Sequence, residues 1–190
     1  MLGVCLSRDA AIMRPSLRIP PLLILSLLAF AAHAAPGVGD PAPDWTLQGS
    51  DGAEHRLADL RGTHVVLAFF PKAFTGGCTI ECKSLRDAGR EIRAFDVRYF
   101  MASTDEPADN RAFAEQNDAD FPVLSDPDGT VSAAYGVLTP GGMARRWTFY
   151  IDPQGVLRRI DRDVNPRTAG EALVRTLEDL DVPPAAADPA

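Results

Sequence analysis

The sequence predicts an α/β domain with a mixed central β-sheet and flanking helices in three layers, on three observations. Apolar runs that read as strands alternate with stretches of helical spacing through the middle of the chain, the pattern of strands joined by packed helices. Val65–Phe70 is an unbroken apolar run, as expected of a strand buried on both faces. Asp51-Gly52 near the start, and Asp152-Pro153-Gln154-Gly155 later, are turn sequences between short alternating segments; they add hairpins, which make the sheet mixed.

Residues 35–44 are rich in Pro and Gly and read as an extended lead-in. Trp45–Leu47 and His55–Leu57 flank the Asp-Gly turn as a hairpin, and 58–62 is a short bridge. His64–Phe70 is the buried strand, ended by Pro71. After Gly77 the apolar residues Ile80, Leu85, Ala88, Ile92 and Phe95 recur at helical spacing, so one helix is expected from about Gly77 to Ala94. Val97–Ser103 is the next strand. Pro107 opens a helix to about Asn117, with Glu106 and Asp109 near its positive end. Phe121–Leu124 is short and extended, Ser125–Gly129 is turn chemistry, and Val131–Tyr135 makes one or two helical turns. Thr139–Met143 is a loop. Arg146–Ile151 and Val156–Ile160 form the second hairpin, and an amphipathic helix runs from about Thr168 to Leu180. The sequence shows no internal repeat.

The first 34 residues differ from the rest. Arg14 and Arg18 precede the apolar run Leu22–Phe30, and Ala32-His33-Ala34 follows it. That is the order of a secretory signal peptide, with cleavage expected after Ala34. The apolar run falls short of the roughly 20 residues that span a bilayer. Met13 offers an alternative start. Three units follow: a cleaved signal peptide at 1–34, one domain at 35–182 and a flexible tail at 183–190. The expected location is periplasmic or otherwise exported, with no stable membrane association after cleavage.

Residues 1–34 hold three basic residues and one acidic, so the 19 basic and 26 acidic residues of the whole chain become 16 and 25, a net charge near −9. That balance argues against nucleic acid and anionic membrane as partners. Of the three cysteines, Cys5 lies in the leader, leaving Cys78 and Cys82. Cys78 falls in the first turn of the helix that follows the buried strand, where unpaired N–H groups and the helix dipole favour a thiolate. In an oxidising compartment the two cysteines tend to be found joined. A purely structural bridge between them would close too few residues to constrain the unfolded chain much, and neighbouring turns of a helix hold sulfurs poorly for it. The pair therefore reads as a redox centre. In open α/β sheets ligands bind beyond the carboxyl ends of the parallel strands, and 71–78 follows such an end.

Pro71, Thr75 and Cys78 form a Pro-x-x-x-Thr-x-x-Cys motif, and Arg146 stands far downstream in Arg146-Trp147-Thr148-Phe149. With these the chain resembles a peroxiredoxin on a thioredoxin-like fold. Phe70-Pro71-Lys72, Gly77-Cys78-Thr79, Ser103-Thr104-Asp105, Phe121–Asp126, Tyr135-Gly136-Val137 and Phe149–Asp152 follow the order of the Q-type, or bacterioferritin-comigratory, branch. The resemblance covers about residues 38–180. It implies a thiol-dependent peroxidase in which Cys78 attacks a peroxide and becomes a sulfenic acid. It implies that Arg146 favours the thiolate and binds peroxide, that Thr75 offers a hydroxyl to sulfur or peroxide, and that Pro71 shapes and dries the pocket. Cys82 would resolve the sulfenic acid as a disulfide, reduced in turn by an external dithiol protein of thioredoxin type. No cofactor or metal is called for, and a monomer or weak dimer is expected. One departure stands out. The Q-type resolving cysteine on this helix usually lies five residues after the first; here Cys82 is four after and Lys83 occupies the fifth place.

Each residue also has a plainer reading. Thr75 could order the turn, Pro71 could end the strand, and Arg145 competes with Arg146, the two pointing to opposite faces of a strand. Glu81 reads as a helix-start carboxylate or an Arg partner. His55, His64, Trp45 and Trp147 read as structural. Two other functions share the cysteine pair. A Sco-type copper-binding chaperone also carries Cys-x-x-x-Cys, but needs a downstream histidine, and none follows His64. A general thiol–disulfide oxidoreductase mostly uses Cys-x-x-Cys, one residue shorter.

Overall fold

The computed structural model describes residues 35–186. The leader read at 1–34, with its cleavage site and Cys5, lies outside the described residues, as do 187–190. Seven strands form one mixed sheet: β1 (Thr46–Gly49), β2 (Glu54–Arg56), β3 (His64–Phe69), β4 (Val97–Ser103), β5 (Val123–Ser125), β6 (Thr148–Ile151) and β7 (Leu157–Asp161), in the order β2-β1-β5-β4-β3-β6-β7. The central β3, β4 and β5 are parallel, and both flanks are antiparallel. The helices are α1 (Gly76–Asp87), α2 (Gly89–Ile92), α3 (Pro107–Gln116), α4 (Thr130–Ala134) and α5 (Ala169–Asp179). No helix among the described residues is long and apolar enough to cross a membrane.

β3 divides the interior in two because its side chains alternate between faces. Val66, Ala68 and Phe70 join one core with α1, α3 and α5, which also holds Cys78 and Cys82. Val65, Leu67 and Phe69 join the other, with Trp45, Leu57, Val131, Tyr135 and Phe149. Each such fully buried aliphatic or aromatic side chain stabilises the fold by about 1.5–3 kcal/mol. Phe69, Tyr135 and Phe149 meet edge-on or tilted at 4.9–5.8 Å between ring centres, and the Tyr135 hydroxyl donates to the Pro43 carbonyl at 2.8 Å, tying down the lead-in. The hairpins, the buried strand and the order of helices are those the sequence predicts.

Three boundaries differ most. The single helix expected over 77–94 breaks at Ala88 into α1 and α2. Gly89 lies against Asp120 and the Tyr99 hydroxyl, where a Cβ would fall 2.6 and 3.1 Å from them, so the helix bends where the sheet crowds it. The strand expected from Arg146 starts at Thr148. The tail expected from 183 docks further than expected: the Asp96 amide donates to the Pro183 carbonyl, and the Ala185 amide to Ala94.

α1 is held at its far end by α5. The Gly170 amide donates to Ser84 Oγ at 3.0 Å, and a Cβ at Gly170 would lie 2.2 Å from the Ser84 carbonyl oxygen. Gly170→Ala is therefore expected to lower stability by about 1–3 kcal/mol, since backbone cannot yield as a side-chain tip can; urea unfolding at fixed pH checks it.

Candidate active site

The site grows out of the carboxyl end of β3. The Phe70 amide still pairs with the Ala102 carbonyl of β4 at 2.9 Å, and Pro71, which has no N–H to donate, turns the chain out of the sheet. The loop then needs a left-handed residue, and Phe74 supplies it at φ +62°. An aromatic residue is costly there; the Phe74 ring packs edge-on against Phe113, which is itself stacked on Phe70. Thr75 is the N-cap of α1 and its carbonyl accepts the first helical bond, from Thr79. The amides of Gly76, Gly77 and Cys78 therefore precede the helical ladder, and Cys78 sits among them, 1% exposed.

Arg146 arrives from the other side of β3. β6 runs antiparallel to β3 with Ala68 opposite Thr148, and the Phe69 amide donates to the Trp147 carbonyl at 2.9 Å. Two residues before Thr148, at Arg146, the chain lies beside the start of α1. Arg146 Nη2 donates to Cys78 Sγ at 3.3 Å, and Nη1 is bonded to Glu81 Oε2. Arg145 is exposed. Gly77 leaves room for the guanidinium: a Cβ there would lie 3.2 Å from Nη2.

Glu81 is fully buried one turn into α1. Burial pushes its carboxyl up to about 7, against the pull of Arg146, and its second oxygen, Oε1, has no protein partner. Burial works against the Arg146 charge too, but Glu81 and the Cys78 sulfur together hold it above its ordinary range. Of the pair, the arginine is firmly charged and the carboxylate is the half that titrates, because its side chain is 1% exposed against 19% for Arg146. Cys82 lies below Cys78 on the same face of α1, fully buried and unbonded, and burial pushes its thiol up to about 12.

The structure thus gathers Cys78, Arg146 and Glu81 in direct contact, with Cys82 beneath and Pro71 at the entry to the loop. Thr75 stands differently: its hydroxyl donates to the Lys72 carbonyl at 2.9 Å and orders the turn, leaving its lone pairs free to accept. Two features were only partly legible in the sequence. Glu81 was read as a helix-start carboxylate or an Arg partner; it is the partner of Arg146, and its burial there depends on β6 lying beside β3. Asp105 was legible only as the end of Ser103-Thr104-Asp105. It is buried and accepts from the Ala73 amide and the Lys72 ammonium, both at 2.8 Å, and from Ser103 Oγ at 2.9 Å.

Comparison with known proteins gives the family. The AhpC/TSA family model matches residues 38–160. The chain is similar to alkyl hydroperoxide reductase E of Mycobacterium tuberculosis, at 41% identity over 125 residues, 64% of this chain and 82% of the relative. It is similar to peroxiredoxin Bcp of Escherichia coli, at 32% over 149 residues, 74% of this chain and 95% of the relative. Among solved structures, the peroxidoxin BcpB of M. tuberculosis superposes with a TM-score of 0.68 at 32% identity, covering 75% of this chain and 97% of the other. A mutant PrxQ from Xylella fastidiosa shares the fold, with a TM-score of 0.72 at 22% identity over 78% and 99% of the two chains.

The raised Glu81 carboxyl carries a pH signature. With the folded pKa above the unfolded one, the native state holds the extra proton between them, so the stabilising contribution is complete below about pH 4.5 and is lost as pH rises to about 7. Glu81→Gln removes this titration. Between pH 4.5 and pH 8 the unmodified protein is expected to lose roughly 3 kcal/mol relative to the variant. Denaturant unfolding of both at the two pH values checks it, and equal pH dependence would show that Glu81 does not titrate in this range.

Proposed function

The chain belongs to the AhpC/TSA family, in its Q-type peroxiredoxin branch, and from that premise we propose that Cys78 is the sulfur that reduces peroxide and Cys82 the one that resolves it. The observation that carries this reading is the Arg146 Nη2 contact with Cys78 Sγ, at a helix start with free amides. The protein is a thiol-dependent peroxidase. The Cys78 thiolate attacks the terminal oxygen of a peroxide, the O–O bond breaks, and the departing oxygen takes a proton and leaves as water or an alcohol. Arg146 has donors to spare for the peroxide once one is committed to sulfur and one to Glu81. The amides of Gly77 and Cys78 face the charge that develops on oxygen, and donors already in place cost no reorganisation during the step. Pro71 keeps a competing N–H out of the pocket, and Thr75, its hydroxyl donating to the Lys72 carbonyl, accepts from the peroxide hydroxyl.

The substrate class is hydrogen peroxide or an organic hydroperoxide; the names of the relatives, alkyl hydroperoxide reductase and peroxiredoxin, support it. Cys82 then attacks the Cys78 sulfenic sulfur, giving a disulfide and water, and an external dithiol protein of thioredoxin type restores both thiols by exchange. The leader pattern at 1–34 supports export to a periplasm-like compartment, where that dithiol must be supplied by a dedicated partner. The copper-binding and general exchange readings account for neither Arg146 nor the loop before Cys78.

Rapid mixing with hydrogen peroxide tests the assignment. Cys78→Ser is expected to abolish the reaction. Cys82→Ser should react once, accumulate sulfenic acid, and lose turnover with a dithiol. Arg146→Lys keeps the charge but not the fork of donors, and should slow the peroxide step about a hundredfold. Full activity in Cys78→Ser would sink the whole reading; normal dithiol turnover in Cys82→Ser would remove Cys82 from it.

A further inference from the structure

A disulfide between Cys78 and Cys82 cannot form on an intact helix. Residues four apart on a helix hold their Cβ atoms about 5–6 Å apart, whereas a disulfide needs about 3.8 Å. The buried Cys82 is also a thiol far from ionising, and resolution needs the thiolate. Part of α1 must open. The far end is fixed: Ser84 Oγ is bonded to the Gly170 amide and the Arg167 carbonyl, and α5 packs too closely on Ser84 to let it shift. The end that can open is the first turn, and it can move only if the loop leading into it moves.

That loop is held from the sheet. Asp105, beyond the end of β4, is 5% exposed and takes the Ala73 amide on Oδ2 and the Lys72 ammonium on Oδ1. Behind it Ser103 Oγ donates to Oδ2. Fully buried Asn110 of α3 braces Ser103 and bonds the Leu124 carbonyl and Ser125 Oγ of β5. The clamp is thus anchored on β4 and β5 and is independent of α1. Releasing the loop strands a buried carboxylate without its amide and its cation, which is costly.

We propose that Asp105 is a positioning residue: it clamps residues 71–75 over Cys78 in the form that reacts with peroxide, and its release governs the opening that lets Cys82 reach the oxidised sulfur. The inference rests on the assignment of Cys78 and Cys82 above. Once Cys78 carries a sulfenic acid, two fates compete. In the opened form, Cys82 attacks the sulfur, the S–O bond breaks, and the hydroxyl leaves as water with the Cys82 proton. In the clamped form a second peroxide transfers an oxygen, leaving a sulfinic acid and water or alcohol. Asp105 sets the ratio.

The test uses the full chain, with quenched mass spectrometry to follow sulfenic acid, disulfide and sulfinic acid at Cys78 after mixing with hydrogen peroxide. Asp105→Asn keeps the shape and loses the charge. It is expected to slow the second-order peroxide step about tenfold, to speed disulfide formation about tenfold, and to lower the sulfinic fraction at any given peroxide concentration. Lys72→Met, at a half-exposed side chain that leaves the fold alone, should move all three the same way by about two- to threefold. Loss of a merely structural residue would not speed one step while slowing the other. If Asp105→Asn does not fold, Lys72→Met decides alone. Disulfide formation unchanged or slower in the folded variants overturns the clamp. An unmodified protein that forms no disulfide overturns the underlying assignment, and the clamp with it.

Discussion

The buried contact between Arg146 and Glu81 is the constraint on which the site depends. A guanidinium that donates to a buried sulfur must be partly desolvated, and a long flexible side chain gains nothing from charge alone if it is free to point elsewhere. Glu81 fixes one end of the fork, so the other end is aimed at Cys78. The two residues are 65 apart in sequence and meet because β6 pairs with β3 in one register. A one-residue slip would reverse every side chain of β6 and turn Arg146 away from the sulfur. The two cores and the ring cluster of Phe69, Tyr135 and Phe149, which lock that register, are therefore also what place the cation.

The carboxylate brings an opposing demand. Glu81 is so enclosed that burial outweighs the attraction of Arg146, and it approaches neutrality near physiological pH. Between about pH 4.5 and pH 7 the fold loses stability while the native carboxyl keeps its proton, and above that range Arg146 gains its strongest partner. Sites of this kind trade fold stability for a placed charge, as perturbed groups at functional sites generally do. The left-handed Phe74 is a second instance. The chain accepts an unfavourable backbone there so that the loop can turn into α1 with Cys78 in its first turn, and the Phe113 and Phe70 rings offset part of the cost.

What was legible in the sequence follows the range of the physics involved. β3, the Asp-Gly hairpin and α5 are written in local periodicity and turn residues, which need no knowledge of neighbours. Cys78 at a helix start is likewise local. Arg146 could be chosen over Arg145 only by a family pattern. The break at Ala88 was not legible, because the apolar spacing runs straight through it; Asp120 and Tyr99, which crowd Gly89, come from other elements. Nor was the docking of 183–185 on Ala94 and Asp96, since a Pro- and Ala-rich end carries no periodic signal. Asp105 is the clearest case. A short Ser-Thr-Asp segment after a strand has many uses, and only the bonds to Ala73 and Lys72 show which one it has here.

The four-residue spacing of the cysteines acquires a physical meaning from this arrangement. Four residues advance a helix by about 400°, so Cys82 falls within about 40° of Cys78 on the buried face, whereas a fifth residue stands about 140° away; Lys83, in that place, is exposed. A resolving thiol at the fifth position would begin near solvent. At the fourth it begins in the core shared by α1, α3 and α5, its ionisation suppressed by burial. If Cys82 resolves the sulfenic acid, as proposed, resolution cannot start by attack from a waiting thiolate. It has to wait for the first turn of α1 to open, and the barrier is set by contacts outside the helix: the loop held from the sheet on one side, the Ser84–Gly170 junction on the other. On the proposed assignment, the rate of disulfide formation is a property of those contacts more than of either cysteine.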